Sequence, residues 1–188
     1  MSNLIPDNIR YNTIKTVKTL PVDVFLENFY DFEFTSRKCS KCSMYGKRWS
    51  CPSFDEDMSS YWKRFCTIEL IHLKVILDED LIKERFSEKQ IYTILHNTLF
   101  RQKKLLISKL EEDNRDYLST GYCNICKQCS KENTLSCRFP DMKKYSIESV
   151  GVLVKKISSQ LFDSPIRWID MENGILPEYL TLVMAVLY

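Results

Sequence analysis

The residues with the clearest capacity for chemistry are seven cysteines in two groups. In the later group, Cys123, Cys126 and Cys129 are each separated by two residues, and Cys137 follows in the same stretch. Two-residue spacers let neighbouring thiolates converge on one centre, and a more remote cysteine can close the fourth corner of a cubane. A single tetrahedral zinc more often takes cysteines in separated pairs. The spacing therefore predicts a [4Fe-4S] cluster on this late cysteine set.

The early cysteine set has three members, Cys39, Cys42 and Cys51, and Pro52 follows directly. A cysteine-proline step also ends the ligand runs of ferredoxins, where the last cysteine can serve a neighbouring cluster. Three thiolates leave one metal position open for water, a non-cysteine side chain or a substrate. Cys66 is a further candidate ligand, although its apolar sequence neighbours predict a buried thiol that packs as a small hydrophobe. A filled position would suit an electron relay, and an open one would suit a catalyst.

Zinc is the alternative metal for both sets. The four late cysteines alone could form a tetrahedral all-thiolate site, and the three early cysteines could form a tetrahedral site with one more ligand. Tyr45, Lys47, Arg48 and Trp49 lie beside the early cysteines and are candidate cofactor-contacting residues. The two cations could offset the negative charge of a thiolate-bound cluster or receive an anionic substrate. The two aromatic rings could shield the site from water. Solvated surface charge and ordinary loop packing would account for these four residues equally well.

The composition favours a cytoplasmic protein. Eight cysteines in 188 residues indicate metal binding or redox chemistry rather than disulfides in a reducing compartment. The first residues lack a signal-peptide pattern, and no stretch reaches the roughly 18 apolar residues that span a bilayer. A net charge of +2, from 27 basic and 25 acidic residues, provides no overall attraction to nucleic acid or anionic lipid. We therefore expect no nucleic-acid or membrane partner.

Periodic apolar patterns indicate the elements that must position the cysteine loops. Alternation over residues 67–77 predicts a half-buried strand, and the almost wholly apolar residues 179–187 predict a central strand. A capping box at Ser87 begins an amphipathic pattern that predicts a helix over 87–112. Weaker patterns predict a strand over 10–18, a helix capped by Ser146 and a strand over 167–171.

These elements predict an α+β fold in one domain spanning residues 1–188. We expect a small mixed or antiparallel sheet with helices over one face and with the cysteine-rich loops, 37–54 and 121–140, together at one edge. An all-α fold is the main competitor, because periodicity alone also permits a buried helix over 179–187. The same apolar segment, as an edge strand, could pair with a second copy in a homodimer.

The cysteine pattern also resembles a known family. The resemblance is carried by residues 39–52, CSKCSMYGKRWSCP, by the three cysteines of 123–129, and by Cys137 with Arg138 and Pro140. This string is similar to the predicted metal-binding proteins grouped as domain of unknown function 2284. The resemblance implies metal binding and supplies no substrate. Family members often carry a second proline where this chain has Ser53, a difference that affects loop rigidity rather than ligation.

Three functions are consistent with these observations. The first is a redox protein with one or two [4Fe-4S] clusters that relays electrons between a ferredoxin-like donor and a redox enzyme. The second is an enzyme in which an open iron site on Cys39, Cys42 and Cys51 binds substrate. The third is a zinc-stabilised interaction module.

Overall fold

The computed structural model describes residues 9–54, 57–123 and 125–188, which are organised around a four-stranded antiparallel sheet. The strand order is β1-β2-β4-β3, so the last strand in the chain lies between β2 and β3. The antiparallel α+β prediction is confirmed, as are the predicted strands over 67–77 and 179–187. The strands are β1 (Tyr11–Pro21), β2 (Thr67–Leu77), β3 (Asp116–Leu118) and β4 (Tyr179–Leu187).

Most of the helical structure lies in the two connections that flank β2. The connection from β1 to β2 contains α1 (Val22–Phe29), α2 (Phe32–Cys39) and α3 (Met58–Trp62). The connection from β2 to β3 contains α4 (Glu79–Lys83), α5 (Glu88–Leu95), a π-helical turn (His96–Phe100) and α6 (Arg101–Glu112). A 3-10 helix (Ser130–Asn133), α7 (Val154–Lys156) and a second π-helical turn (Ile157–Leu161) precede β4. Within the described ranges, no helix combines the length and apolar character needed to cross a membrane.

Helices and loops cover both faces of the sheet. The face that carries Leu73 and Val75 of β2 packs against α5 and α6, whereas the face that carries Ile68 and Leu70 packs against α1 and α3. The expectation that helices cover only one face is therefore wrong. Both alternating sets of side chains in β2 are largely apolar, so each face of the strand needs its own covering layer.

The predicted helix over 87–112 is confirmed, with a π-helical turn inside it. Its capping box is present, because the Ser87 amide donates to the Gln90 side chain at 2.9 Å and the Gln90 amide donates back at 3.4 Å. The helix predicted to begin at Ser146 begins instead at Val154, because Ser146 forms a bridge with Ser119 and turns follow it. The strand predicted over 167–171 is wrong, since that segment has only an isolated bridge at Asp170.

Candidate metal centre

The three cysteines of the early set line one cavity of about 210 Å³, which we call the early cavity. Tyr45 and Pro52 contribute to its wall from the same loop. Residues from two later segments complete the lining: Gly121 and Tyr122, and Ser146, Glu148 and Ser149. The cavity therefore combines three thiols with one carboxylate.

Consecutive turns after α2 bring the early thiols together. Cys39 is the last residue of α2, and its carbonyl accepts the amide of Cys42 at 2.9 Å. The amide of Gly46 donates to the carbonyl of Pro52 at 2.8 Å, which closes the loop and returns Cys51 towards the other two. Gly46 has a φ of +68°, a backbone conformation that glycine adopts without strain.

Residues 146–152, which we call the buried wall, form one side of the early cavity. Backbone bridges hold this segment at both ends, with Ser119 at its first residue and with Tyr30 at its last. Glu148 lies midway and lines the cavity. The Ser146 hydroxyl donates to the Glu148 carboxylate at 2.5 Å. The carboxylate is thus held beside the thiols by a segment whose two ends are bridged to Ser119 and Tyr30.

The four cysteines of the late set line a second cavity, the late cavity. Its volume is about 20 Å³, close to the space that one water molecule occupies. The early loop contributes Arg48, Trp49 and Ser50 to this lining, and Lys143 lies on the other side. The two cysteine sets of the sequence therefore correspond to two separate cavities.

Short-range contacts shape the late loop, residues 121–140. The 3-10 helix begins directly after Cys129. The Arg138 guanidinium donates to the carbonyl of Gln128 at 3.1 Å. Because Arg138 follows Cys137, this bond draws the far end of the loop back beside the middle cysteines.

Ser50 joins the two cysteine loops. Its side chain is 1% exposed, and its hydroxyl accepts the amide of Cys123 at 2.9 Å. Its carbonyl accepts the hydroxyl of Ser149 at 3.0 Å, which ties it to the buried wall. The sulfur of Cys51 lies 3.8 Å from the same Ser50 hydroxyl oxygen. One buried side chain therefore contacts a cysteine of each set.

Two further side chains hold the loops together. The indole N–H of Trp49 donates to the carbonyl of Leu135 at 3.1 Å. Lys131 donates to the carbonyl of Ser53 at 2.7 Å, and its ammonium lies 4.9 Å from the centre of the Trp49 ring. The early and late loops thus form one interlocked unit.

Arg48 brings a buried positive charge to the late cavity. Its side chain is 12% exposed, and its guanidinium lies 3.8 Å from the carboxylate of Glu132. Its Nε has no hydrogen-bond partner among the described residues. Buried N–H donors normally have an acceptor, and the sulfur atoms of a thiolate-bound metal centre would provide one. The residues around the late cavity therefore fit a negatively charged metal centre.

Two thiols of the early set, Cys39 and Cys51, have raised pKa values. Burial, together with the nearby Glu148, Cys51 and Cys42, raises the pKa of Cys39 to about 11. Burial also raises the pKa of Cys51, while its hydrogen bond with Ser50 and two nearby cations oppose this. Because the thiolate is the metal-binding form, metal binding by these residues at neutral pH must displace protons.

Cys66 lies outside both cavities and is exposed. Its amide donates to the carbonyl of Tyr188 at 2.6 Å, and its carbonyl accepts the amide of Val22. The expectation that Cys66 is buried is therefore wrong. Its apolar neighbours Ile68 and Leu70 belong to β2 and point into the core, whereas Cys66 precedes the strand.

The four candidate cofactor-contacting residues divide between the cavities. Tyr45 lines the early cavity, whereas Arg48 and Trp49 line the late one, although all three precede Cys51 in sequence. Lys47 is exposed and lines neither cavity.

Sequence reasoning missed two residues of this site, Glu148 and Ser50. A signal for Glu148 was present, because it is the single charged residue between positions 145 and 153. Ser50 lies inside the cysteine motif, but nothing in the sequence indicates that it would meet Cys123.

The thiols of each set line a shared cavity. Within residues 9–54, 57–123 and 125–188, no three His, Cys, Asp or Glu side chains lie close enough together to hold a single metal ion. Thiolates on one tetrahedral zinc lie about 3.8 Å apart, given a Zn–S bond of about 2.3 Å. A cubane binds each thiolate through a different iron, so its ligands stand further apart. The separation of the ligating sulfur atoms therefore distinguishes a zinc site from a cubane.

Comparison with known proteins agrees with this donor-rich geometry. The sequence profile of a family described as predicted metal-binding proteins, domain of unknown function 2284, matches residues 31–188. The chain belongs to this family. The region that matches domain of unknown function 2284 contains both cysteine sets and every element from α2 to β4. No curated protein and no solved structure matches the chain.

Proposed function

We propose that this protein is an iron-sulfur redox protein with one [4Fe-4S] cluster on each cysteine set. The observation that carries the proposal is the division of seven cysteines between two adjoining cavities, with Ser50 contacting a cysteine of each. Clusters bound at these sets would supply one-electron transfer.

The residues around the late cavity support this function by their charge. Arg48 and Lys143 line the cavity, and the Arg48 Nε lacks an acceptor among the described residues. N–H donors directed at ligand sulfur stabilise the reduced, more negative state of a cluster, which raises its reduction potential. Trp49 covers the same cavity and limits the access of water.

The proposed redox partners are a ferredoxin-like protein and a redox enzyme. The reduced ferredoxin-like protein would give up one electron to this protein, and the oxidised redox enzyme would then accept it. This protein returns to its starting state after each transfer. Cys42 of the early set is exposed, which favours the early site as the one nearer to a partner.

A second candidate is an enzyme that binds a small substrate at the early site. Two features of the early cavity favour this enzyme: the cavity has a volume of about 210 Å³, and only three thiols line it. The incomplete thiolate set would leave one metal position for a substrate to reach.

Set-specific variants of the full-length chain test the main proposal. The protein should be purified without oxygen and titrated with a reductant while absorbance and electron paramagnetic resonance are recorded. We expect Cys42→Ser and Cys126→Ser each to remove about half of the iron, with a different signal lost in each. Cys66→Ser is the matched control and should retain all of the iron. A protein that shows no reduction at any potential would overturn the proposal.

A further inference from the structure

We propose that Glu148 is the fourth ligand of the early site, which would then hold its metal centre by three thiolates and one carboxylate. The inference rests on the proposed iron-sulfur function and assigns the position that the three cysteines leave open. Cys66 is unsuited to that position, because it lies outside the early cavity.

The first argument is the placement of Glu148. Its side chain lines the same cavity as all three early thiols. It is the single charged residue in positions 145–153, and its neighbours Ile147, Ser149 and Val150 are 0%, 2% and 0% exposed. Glu148 itself is half-buried, and a carboxylate that is partly removed from water is stabilised by a nearby partner. A metal centre in the cavity would supply that partner.

The second argument is the way the side chain is held. The Ser146 hydroxyl donates to the carboxylate at 2.5 Å, and the Ser149 hydroxyl on its other flank donates to Ser146 and Ser50 carbonyls at 2.7 and 3.0 Å. Among the described residues, Glu148 forms no ion pair within 4.0 Å with a lysine or arginine, although Lys103 lies near enough for the two charges to attract. Oriented carboxylates of this kind, hydrogen-bonded by a neighbouring hydroxyl, are typical of metal ligands.

The chemistry of the ligand has a consequence for the early site. A carboxylate is a harder donor than a thiolate and holds iron less firmly than the three soft sulfur ligands do. The iron next to Glu148 would therefore be the one that exchanges its ligand. A small molecule with an oxygen donor, such as a carboxylate or alkoxide, is the chemical class that would replace Glu148 there.

Mössbauer spectroscopy on the full-length protein grown with ⁵⁷Fe tests the assignment. In the wild type, about one iron in eight should show oxygen ligation. Glu148→Cys should convert that iron to sulfur ligation. Glu148→Ala should lose about one iron in eight on mild oxidation. Glu148→Gln keeps the size and the Ser146 contact but removes the charge, and it should behave like the alanine variant. Glu112→Gln, on the exposed side of α6, is the matched control and should be unchanged.

The outcomes separate this inference from the proposed function. If clusters are present but all three Glu148 variants show the wild-type iron environments, Glu148 is not a ligand. The ligand assignment is then refuted while the iron-sulfur function stands. If the wild type holds no iron and sulfide, the proposed function fails first. The signal of the late cluster reports whether each variant is folded. If the alanine variant does not fold, the glutamine variant tests whether Glu148 is a ligand.

Discussion

Replacing Ser50 by alanine would break the contact between the two cysteine loops. The hydroxyl of Ser50 accepts the amide of Cys123 at 2.9 Å and lies 3.8 Å from the sulfur of Cys51. The bond from Ser149 would survive, because it is made to the backbone carbonyl of Ser50. The variant Ser50→Ala therefore removes one defined contact while the fold around it is kept.

The expected loss follows from burial. Ser50 is 1% exposed, so water cannot easily replace the missing acceptor, and the amide of Cys123 would be left unpaired. An unpaired buried donor costs about 1–3 kcal/mol. For a chain of this length each kcal/mol corresponds to about 2–4 °C in melting temperature. We expect Ser50→Ala to melt several degrees below the wild type and to retain iron less well at the late site.

The assay is thermal unfolding followed by circular dichroism, together with iron content after gel filtration. Ser43→Ala is the control, because Ser43 is exposed in the same loop. If Ser50→Ala melts within about 1 °C of the Ser43 variant, a difference that corresponds to less than about 0.5 kcal/mol, the loops are not joined through this hydroxyl.

Three other features of the structure lead to measurable outcomes. Burial and a nearby lysine lower the pKa of His72 to about 4, whereas an unfolded histidine has a value of about 6.5. Between pH 6.5 and pH 4 the imidazole of His72 binds a proton in the unfolded chain but not in the folded one, so the free energy of unfolding should fall by about 2 kcal/mol from pH 7 to pH 5. His72→Leu should remove this part of the pH dependence. Gly151 has a φ of +99°, and an added Cβ would overlap a tyrosine ring, so Gly151→Ala should lose about 2–4 kcal/mol in urea unfolding. Cys66 is exposed and outside both cavities, so it should be the single thiol that maleimide labels rapidly in the metal-loaded protein.

Each of these predictions has a control within the chain. His96 is exposed, so His96→Leu is the control for removing a histidine; the same pH dependence of stability in both histidine variants would contradict the argument. Gly121 also has a positive φ but open space around it, so Gly121→Ala should cost only about 1–2 kcal/mol. Similar losses in the two glycine variants would rule out the steric explanation. Labelling of further thiols in the loaded protein would show that the cysteine sets are not both ligated.

Features encoded by neighbouring residues could be predicted from the sequence. The strands over 67–77 and 179–187 and the helix over 87–112 follow from periodicity and from a local capping box. The two-residue spacers place Cys39 near Cys42, and Cys123, Cys126 and Cys129 within one run, and the thiols of each run line one cavity.

Features that depend on distant segments could not be predicted. Glu148 reaches the early cavity because the buried wall is bridged to Ser119 and Tyr30. Neither pairing can be inferred from the residues that neighbour Glu148 in sequence. Arg48 lies beside the early cysteines in sequence but lines the late cavity, because the loop turns between it and Cys51. Local spacing thus identified the thiols, whereas tertiary pairing determined which other side chains join them.

The most direct test of the iron-sulfur proposal is to measure iron, acid-labile sulfide and zinc on one sample of protein purified without oxygen. About eight irons and about eight sulfides per chain are expected, since each cysteine set would hold one [4Fe-4S] cluster. Stoichiometric zinc without sulfide would contradict the proposal and would assign the cysteine sets to structural zinc instead.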